Sequence, residues 1–149
     1  MSELLLPRLP CMCGNFRRTS RALTQLYEEA LRPLELRATQ LTILQVLSRA
    51  GEVSQGRLGD MLAMDTTSLT RTLAVMGRKG WIKERRGEDR RERRWHLDRG
   101  GETQLRRALP VWEKVQSRLR LALGEQAWKG LLQLTHQVTE LVKMEGESQ

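Results

Sequence analysis

The segment 65–97 reads DTTSLTRTLAVMGRKGWIKERRGEDRRERRWHL, and its periodicity changes halfway along. In the first half Leu69, Leu73 and Met76 recur at i, i+4 and i+7, one face of a helix. Asp65 stands just ahead of that run, where a carboxylate can accept the unpaired amide hydrogens of a first turn. The opposite face holds Thr66, Thr67, Thr70, Arg71 and Ala74, and Ser68 and Arg78 add to the polar set. Exposed helices ordinarily carry Glu and Lys, and threonine is a weaker helix former. Hydroxyls beside a guanidinium suit a groove in which base edges and phosphates are approached closely.

After Gly80 the residues from Trp81 read as a strand. Lys83, Arg85, Arg86, Arg90, Arg91, Arg93 and Arg94 crowd the next turn, interleaved with Glu84, Glu88, Asp89 and Glu92. Gly87 leads into the turn, and Trp95, His96 and Leu97 read as the returning strand. A helix followed by an arginine-tipped hairpin is the layout of a winged helix. The helix can enter a major groove while the hairpin reaches the backbone or the neighbouring minor groove.

The remaining chain surrounds this segment with helices. A first helix is expected from Cys11 to about Arg32, with Phe16, Leu23, Tyr27 and Ala30 in helical spacing and Pro33 as its stop. Thr39 is a candidate cap for a second, largely apolar helix that ends at Gly51, read as a left-handed C-terminal position. Val53 is expected to add a short strand to the hairpin, and Ser54 to cap a third helix from Gln55 to about Ala63. Only Ala63 and Met64 separate that helix from the one capped by Asp65, so the pair reads as a helix-turn-helix. Gly100 and Gly101 read as a break before a long helix, from about Glu102 to Leu123, that contains Pro110. Gly124 then precedes a last helix to about Met144, with Gly146–Gln149 as a frayed tail. Leu4–Leu6 form a short apolar arm before Pro10.

The predicted fold is therefore mainly α with a small β-hairpin wing, in one domain over 1–149. The winged helix-turn-helix spans 37–98, and 11–34 and 102–144 are dimerisation helices. Trp112, Val115, Leu119, Trp128, Leu132 and Val138 form stripes with no partner inside a small winged domain, and a symmetric homodimer would bury them. Lys plus Arg number 26 against 18 Asp plus Glu, a formal charge of +8, which favours a polyanionic partner. No apolar run approaches a membrane span or a signal-peptide core, so a cytoplasmic protein is expected.

In this order of elements the chain resembles the multiple-antibiotic-resistance-regulator (MarR) family of transcription factors. The resemblance rests on Leu69-Thr70-Arg71-Thr72-Leu73, on Lys79-Gly80-Trp81-Ile82, and on Asp89-Arg90-Arg91-Glu92-Arg93-Arg94. That last run matches the family's D-x-R-D-x-R pattern with Glu92 at the second acid. Leu31-Arg32-Pro33-Leu34-Glu35-Leu36 and Gln40 look like the family's link between its first two helices, with Glu35 where Gly is common. Asp98 stands where Thr is commoner. The resemblance implies a dimer whose recognition helices enter successive major grooves of a pseudo-palindromic operator. It also implies that Arg91 enters a minor groove, braced by an ion pair with Asp89. The expected DNA-facing set is Ser54, Gln55, Thr66, Thr67, Ser68, Thr70, Arg71, Arg78, Asp89, Arg90, Arg91 and Arg93. A small aromatic or acidic effector, bound between the dimer helices and the winged domain, is implied in the same way.

No catalytic constellation, phosphate loop or resident cofactor is legible. His96 and His136 read as surface or packing residues, and the four tryptophans as core or interface. Cys11 and Cys13 are too few and too close for a disulfide framework. They fall at the start of the first helix, whose positive end favours a thiolate, with Arg17 and Arg18 following. Three readings of the pair stay open: packing thiols, redox sensing led by Cys13, and half of a soft-metal site. Some family members that sense hydroperoxides carry their reactive Cys in this helix, although the tyrosine they use one turn on is Arg17 here. The function expected is a transcriptional regulator of double-stranded DNA, a repressor relieved by a ligand or by thiol oxidation. The alternative is a helical adaptor whose basic wing binds an acidic protein.

Overall fold

The computed structural model describes residues 6–147. Leu4 and Leu5 of the expected arm, and Ser148 and Gln149 of the expected tail, lie outside them. The elements run α1 (Met12–Leu31), α2 (Ala38–Ala50), β1 (Glu52–Ser54), α3 (Gln55–Leu62), α4 (Thr66–Arg78), β2 (Ile82–Arg86), β3 (Arg93–Leu97), α5 (Arg99–Leu123) and α6 (Glu125–Glu147). The fold is a mainly helical winged helix-turn-helix with a small antiparallel sheet in the order β1-β3-β2. Val53 faces Trp95 across one ladder, and Glu84 faces Trp95 across the other.

Compact packing divides the chain within α5, at Trp112 and Glu113. In the first unit Leu31, Ile43, Leu44, Leu58, Leu73 and Met76 are fully buried in one core that also takes in Val53, Trp81, Ile82 and Trp95. Helix α4 puts Leu69, Leu73 and Met76 into that core, as its period requires. In the second unit α6 buries none of its residues, and it stays helical through Glu147, past the expected end near Met144.

Several boundaries differ from expectation for physical reasons. Pro33 ends α1 through a 3-10 turn, Arg32–Leu34, after which Glu35 is left-handed at φ 52°. Helix α2 begins at Ala38 with Arg37 as its cap, not Thr39, because the buried Gln40 reaches back to accept the Arg37 amide at 2.9 Å. Gly51 has a positive φ of 78° but a ψ of −83°, so it closes α2 outside the left-handed helical region. The largest correction concerns Gly100 and Gly101. They are not a break but part of the first turn of α5. A Cβ on Gly100 would lie 2.4 Å from the Gly80 carbonyl oxygen, and one on Gly101 2.0 Å from that of Trp81. Glycine is needed there so that the helix can press against the entry to β2.

Candidate nucleic-acid interface

The helix-turn-helix is built by local capping. Ser54 Oγ accepts the Arg57 amide at 3.3 Å to start α3. Ala63 then takes a left-handed φ of 50°, its N–H donating to the Asp60 carbonyl at 3.3 Å, which reverses the chain in two residues. Asp65 Oδ1 accepts the Ser68 amide at 2.8 Å and starts α4. Hydrogen bonding from Ser68 holds the Asp65 carboxyl below its ordinary value, so the cap is charged at neutral pH.

The exposed side of α4 carries Thr66, Thr67, Ser68, Arg71, Ala74 and Arg78. Thr70 differs from the rest of the expected set, being half-buried. Its hydroxyl accepts Gln55 Nε2 at 3.0 Å, and Gln55 Oε1 accepts the Trp95 indole N–H at 3.1 Å. Gln55 therefore ties α3, α4 and the sheet together, and neither side chain projects freely. At the far end of α4, Lys79 Nζ donates to the Glu35 carbonyl at 3.1 Å and lies 4.5 Å from the Trp81 ring centroid.

The hairpin sorts its cations into paired and unpaired. Arg93 makes a bidentate contact with Glu84 at 2.8 and 2.9 Å. Glu52 on β1 takes both Arg85, at 2.8 Å, and Arg94, at 2.7 Å. Those arginines hold the Glu52 and Glu84 carboxyls below the usual glutamate value. At the tip, the expected ion pair between Asp89 and Arg91 does not form. Asp89 Oδ1 instead accepts the Arg91 backbone N–H at 2.9 Å, because a carboxylate two residues back closes an Asx turn more readily than it reaches the guanidinium. The guanidinium groups of Arg90 and Arg91 carry no partner among the described residues, nor do those of Arg71 and Arg78. Of the expected DNA-facing set, Arg71, Arg78, Arg90 and Arg91 are thus free cations, whereas Arg93 is neutralised. Sequence reasoning missed Glu52 altogether. Its signal would have been the cross-strand placement of a lone acid beside two arginines.

The expected dimer residues fall in different settings. Trp112 packs partly against the core of the first unit. Val115 is 6% exposed, so it is already covered within one chain. Leu119, Trp128 and Val138 are half-buried, and Leu132 is exposed together with Leu131, Leu134, Leu141 and Val142. Cys11 and Cys13 are free and exposed, and Arg17 Nη2 lies 3.2 Å from Cys13 Sγ. His136 is exposed, and the buried Nδ1 of His96 has no hydrogen-bond partner. A cleft of about 540 Å³ opens beside Glu28, Arg32, Leu36, Arg37, Val75 and Lys79. Among the described residues there is no group of three or more metal-ligating side chains, and no helix is long and apolar enough to cross a membrane.

Known proteins share this arrangement. The MarR family model matches residues 34–92. The HTH-type transcriptional regulator YwoH of Bacillus subtilis is 29% identical over 75 residues, 50% of this chain and 55% of its own. The chain thus spans about half the length of that curated relative. The transcriptional regulator MosR of M. tuberculosis, solved in complex with DNA, is 31% identical with a TM-score of 0.81. That match covers 90% of this chain and 97% of MosR. NadR, solved in complex with 4-hydroxyphenylacetate, shares the fold at 16% identity and a TM-score of 0.76, over 92% and 98% of the two chains. A family match that runs from just ahead of α2 through α4 to the hairpin tip, joined to MosR's likeness at 31% identity along almost the whole length, shows that this chain belongs to the MarR family.

Proposed function

We propose that the chain is a transcriptional regulator, not an enzyme, that reads double-stranded DNA as a homodimer and acts as a repressor. The observation that carries this reading is the separation of charge. Cations without partners stand on the exposed side of α4 and at the wing tip, while the arginines Arg85, Arg93 and Arg94 along the hairpin strands are held by carboxylates and, among the described residues, only Lys83 on β2 is left unpaired there. Helix α4 offers hydroxyls and Arg71 to base edges, and Arg91 offers a guanidinium to a narrow groove of enhanced negative potential. The DNA complex of MosR supports the same use of this fold. The apolar side of α6, with Leu132 54% and Leu141 61% exposed, supports a second copy as its cover.

Repression is relieved, on this reading, by a small aromatic or acidic ligand or by oxidation at Cys13. The cleft beside Arg32 and Lys79, and NadR's complex with 4-hydroxyphenylacetate, support the first. The contact between Arg17 and Cys13 supports the second, because a guanidinium favours a thiolate. Selection of bound fragments from random duplex DNA, with light scattering on the same sample, tests the reading. A shared pseudo-palindromic site and a dimer mass are expected. Salt-sensitive binding without sequence preference would favour an adaptor for acidic proteins, and a stable monomer would remove the homodimer.

A further inference from the structure

Seven basic residues lie between Lys83 and Arg94, yet the hairpin offers few of them to a polyanion. The reason is one carboxylate on each face of the sheet. Glu84 faces Trp95, and Arg86 faces Arg93, so alternation puts Glu84, Arg86 and Arg93 on the Trp95 face. Glu52 faces His96, and Arg85 faces Arg94, which puts Glu52, Arg85 and Arg94 on the other. On the first face Glu84 clamps Arg93 and lies 3.9 Å from Arg86, whose Nη1 also donates to the Arg90 carbonyl at 2.9 Å. On the second, Glu52 holds Arg85 and Arg94, and Glu92 adds a contact to Arg94 at 3.2 Å. Both glutamates are partly shielded, with side chains 25% and 30% exposed, so these contacts are less screened than open surface pairs.

We propose that Glu52 and Glu84 are specificity-determining residues of this regulator. By holding Arg85, Arg94 and Arg93 along the faces of the hairpin, they leave, among its described residues, only Lys83 on β2 and the tip residues Arg90 and Arg91 as cations free to meet DNA. Sequence-independent affinity grows with the number of phosphates neutralised, each adding about 0.9 to the salt slope. Masked arginines therefore keep affinity for random duplex low, and leave discrimination to the recognition helix. The masking is permanent at neutral pH, since neither carboxylate has reason to take up a proton there.

The inference rests on the DNA-binding reading and is tested with the intact chain. Binding to a selected operator and to a scrambled duplex of the same length is titrated across potassium chloride concentrations. The variants are Glu52→Gln, Glu84→Gln and, as control, Glu88→Gln. Glu88 is exposed and holds no arginine among the described residues, so its loss changes net charge equally but releases nothing. Glu52→Gln is expected to steepen the slope on scrambled DNA by about one to two units. Affinity there should rise up to about tenfold at 0.1 M salt for each released arginine that finds a phosphate. The ratio of operator to scrambled affinity should fall, and Glu88→Gln should stay near wild type. Equal slopes for Glu52→Gln, Glu84→Gln and Glu88→Gln would overturn the masking. An Arg85→Gln, Arg94→Gln double variant decides the matter if the glutamate variants fail to fold. It should keep the wild-type slope, and a drop of about two units would mean that both arginines already touch phosphate. A wild-type chain that binds neither duplex overturns the DNA reading itself and the masking with it.

Discussion

Replacing Gly101 with alanine sets two opposed effects against each other. Helix propensity favours alanine over glycine by about 1 kcal/mol in a helix interior, an upper bound for a first-turn position such as Gly101. Packing opposes it, because the new Cβ would lie 2.0 Å from the Trp81 carbonyl oxygen and 2.9 Å from its carbon. Those are backbone atoms and cannot rotate away. The same carbonyl accepts the Asp98 amide at 3.0 Å, so pushing it aside also weakens the bond that ties the residue just ahead of α5 to the entry of β2. Overpacking costs about 1–3 kcal/mol and a strained hydrogen bond about 1 kcal/mol. After subtracting the propensity gain, Gly101→Ala should destabilise by about 1–3 kcal/mol, a fall in Tm of about 3–10 °C for a chain of this size. Gly130 in α6 provides the contrast, since nothing lies within 4 Å of its would-be Cβ. Gly130→Ala should hold or raise the melting temperature. Calorimetry or circular dichroism on both variants decides the point. If Gly101→Ala melts as high as Gly130→Ala, α5 does not press on Trp81 as described.

Arg91→Ala should weaken binding to any duplex and lower the salt slope by about 0.9, as loss of one phosphate-range cation requires; unchanged affinity would take the wing tip out of the interface. Gln55→Ala should cost about 1–3 kcal/mol in urea denaturation, since it strands the Trp95 indole N–H and the Thr70 hydroxyl together. A loss below a few tenths would show that the tie does not operate. Glu52 and Glu84 are held below the ordinary glutamate value of 4.5, so their stabilisation is complete above it and drains as pH falls through their folded values. Tm should therefore drop more steeply below that value in wild type than in a Glu52→Gln, Glu84→Gln double variant, and parallel curves would refute the coupling. Mild peroxide should abolish operator binding in wild type and spare it in Cys13→Ser, whereas equal behaviour would leave both cysteines as bystanders.

What the sequence made legible followed from strong local signals. The period of Leu69, Leu73 and Met76 placed α4, and the Asp65 carboxylate placed its start, because each needs only its near neighbours. The Thr70 and Gln55 roles were not legible, since 15 residues separate two side chains that the turn at Ala63 brings within hydrogen-bonding distance. Gly100 and Gly101 misled for a related reason. A glycine pair reads locally as a break, and the cause of its presence is a carbonyl about twenty residues earlier. The arginine run showed charge but not its pairing. Whether a guanidinium is free depends on strand register, and above all on Glu52, which arrives from another strand.

Among the described residues the left-handed ones other than glycine are Glu35, just ahead of α2, and Ala63, in the turn between α3 and α4. Each costs on the order of 1 kcal/mol relative to glycine, and such conformations persist only where neighbours over-determine them. Glu35 is held by its own amide to the Arg32 carbonyl at 2.9 Å and by Lys79 from the end of α4. Ala63 is held by its bond to Asp60, with Met64 donating to the Gly59 carbonyl at 3.0 Å just beyond. One strained turn thus anchors the C-terminal end of the recognition helix, and the other sets its N-terminal approach. Gln55 fixes the middle through Thr70. A helix restrained at both ends and at its centre presents Thr66, Thr67 and Arg71 in one orientation. In the proposed DNA complex, pre-organisation of that kind would lower the ordering cost of reading base edges. The cleft beside Arg32 and Val75 is coupled to that orientation, because Lys79 lines the cleft and also holds the Glu35 carbonyl.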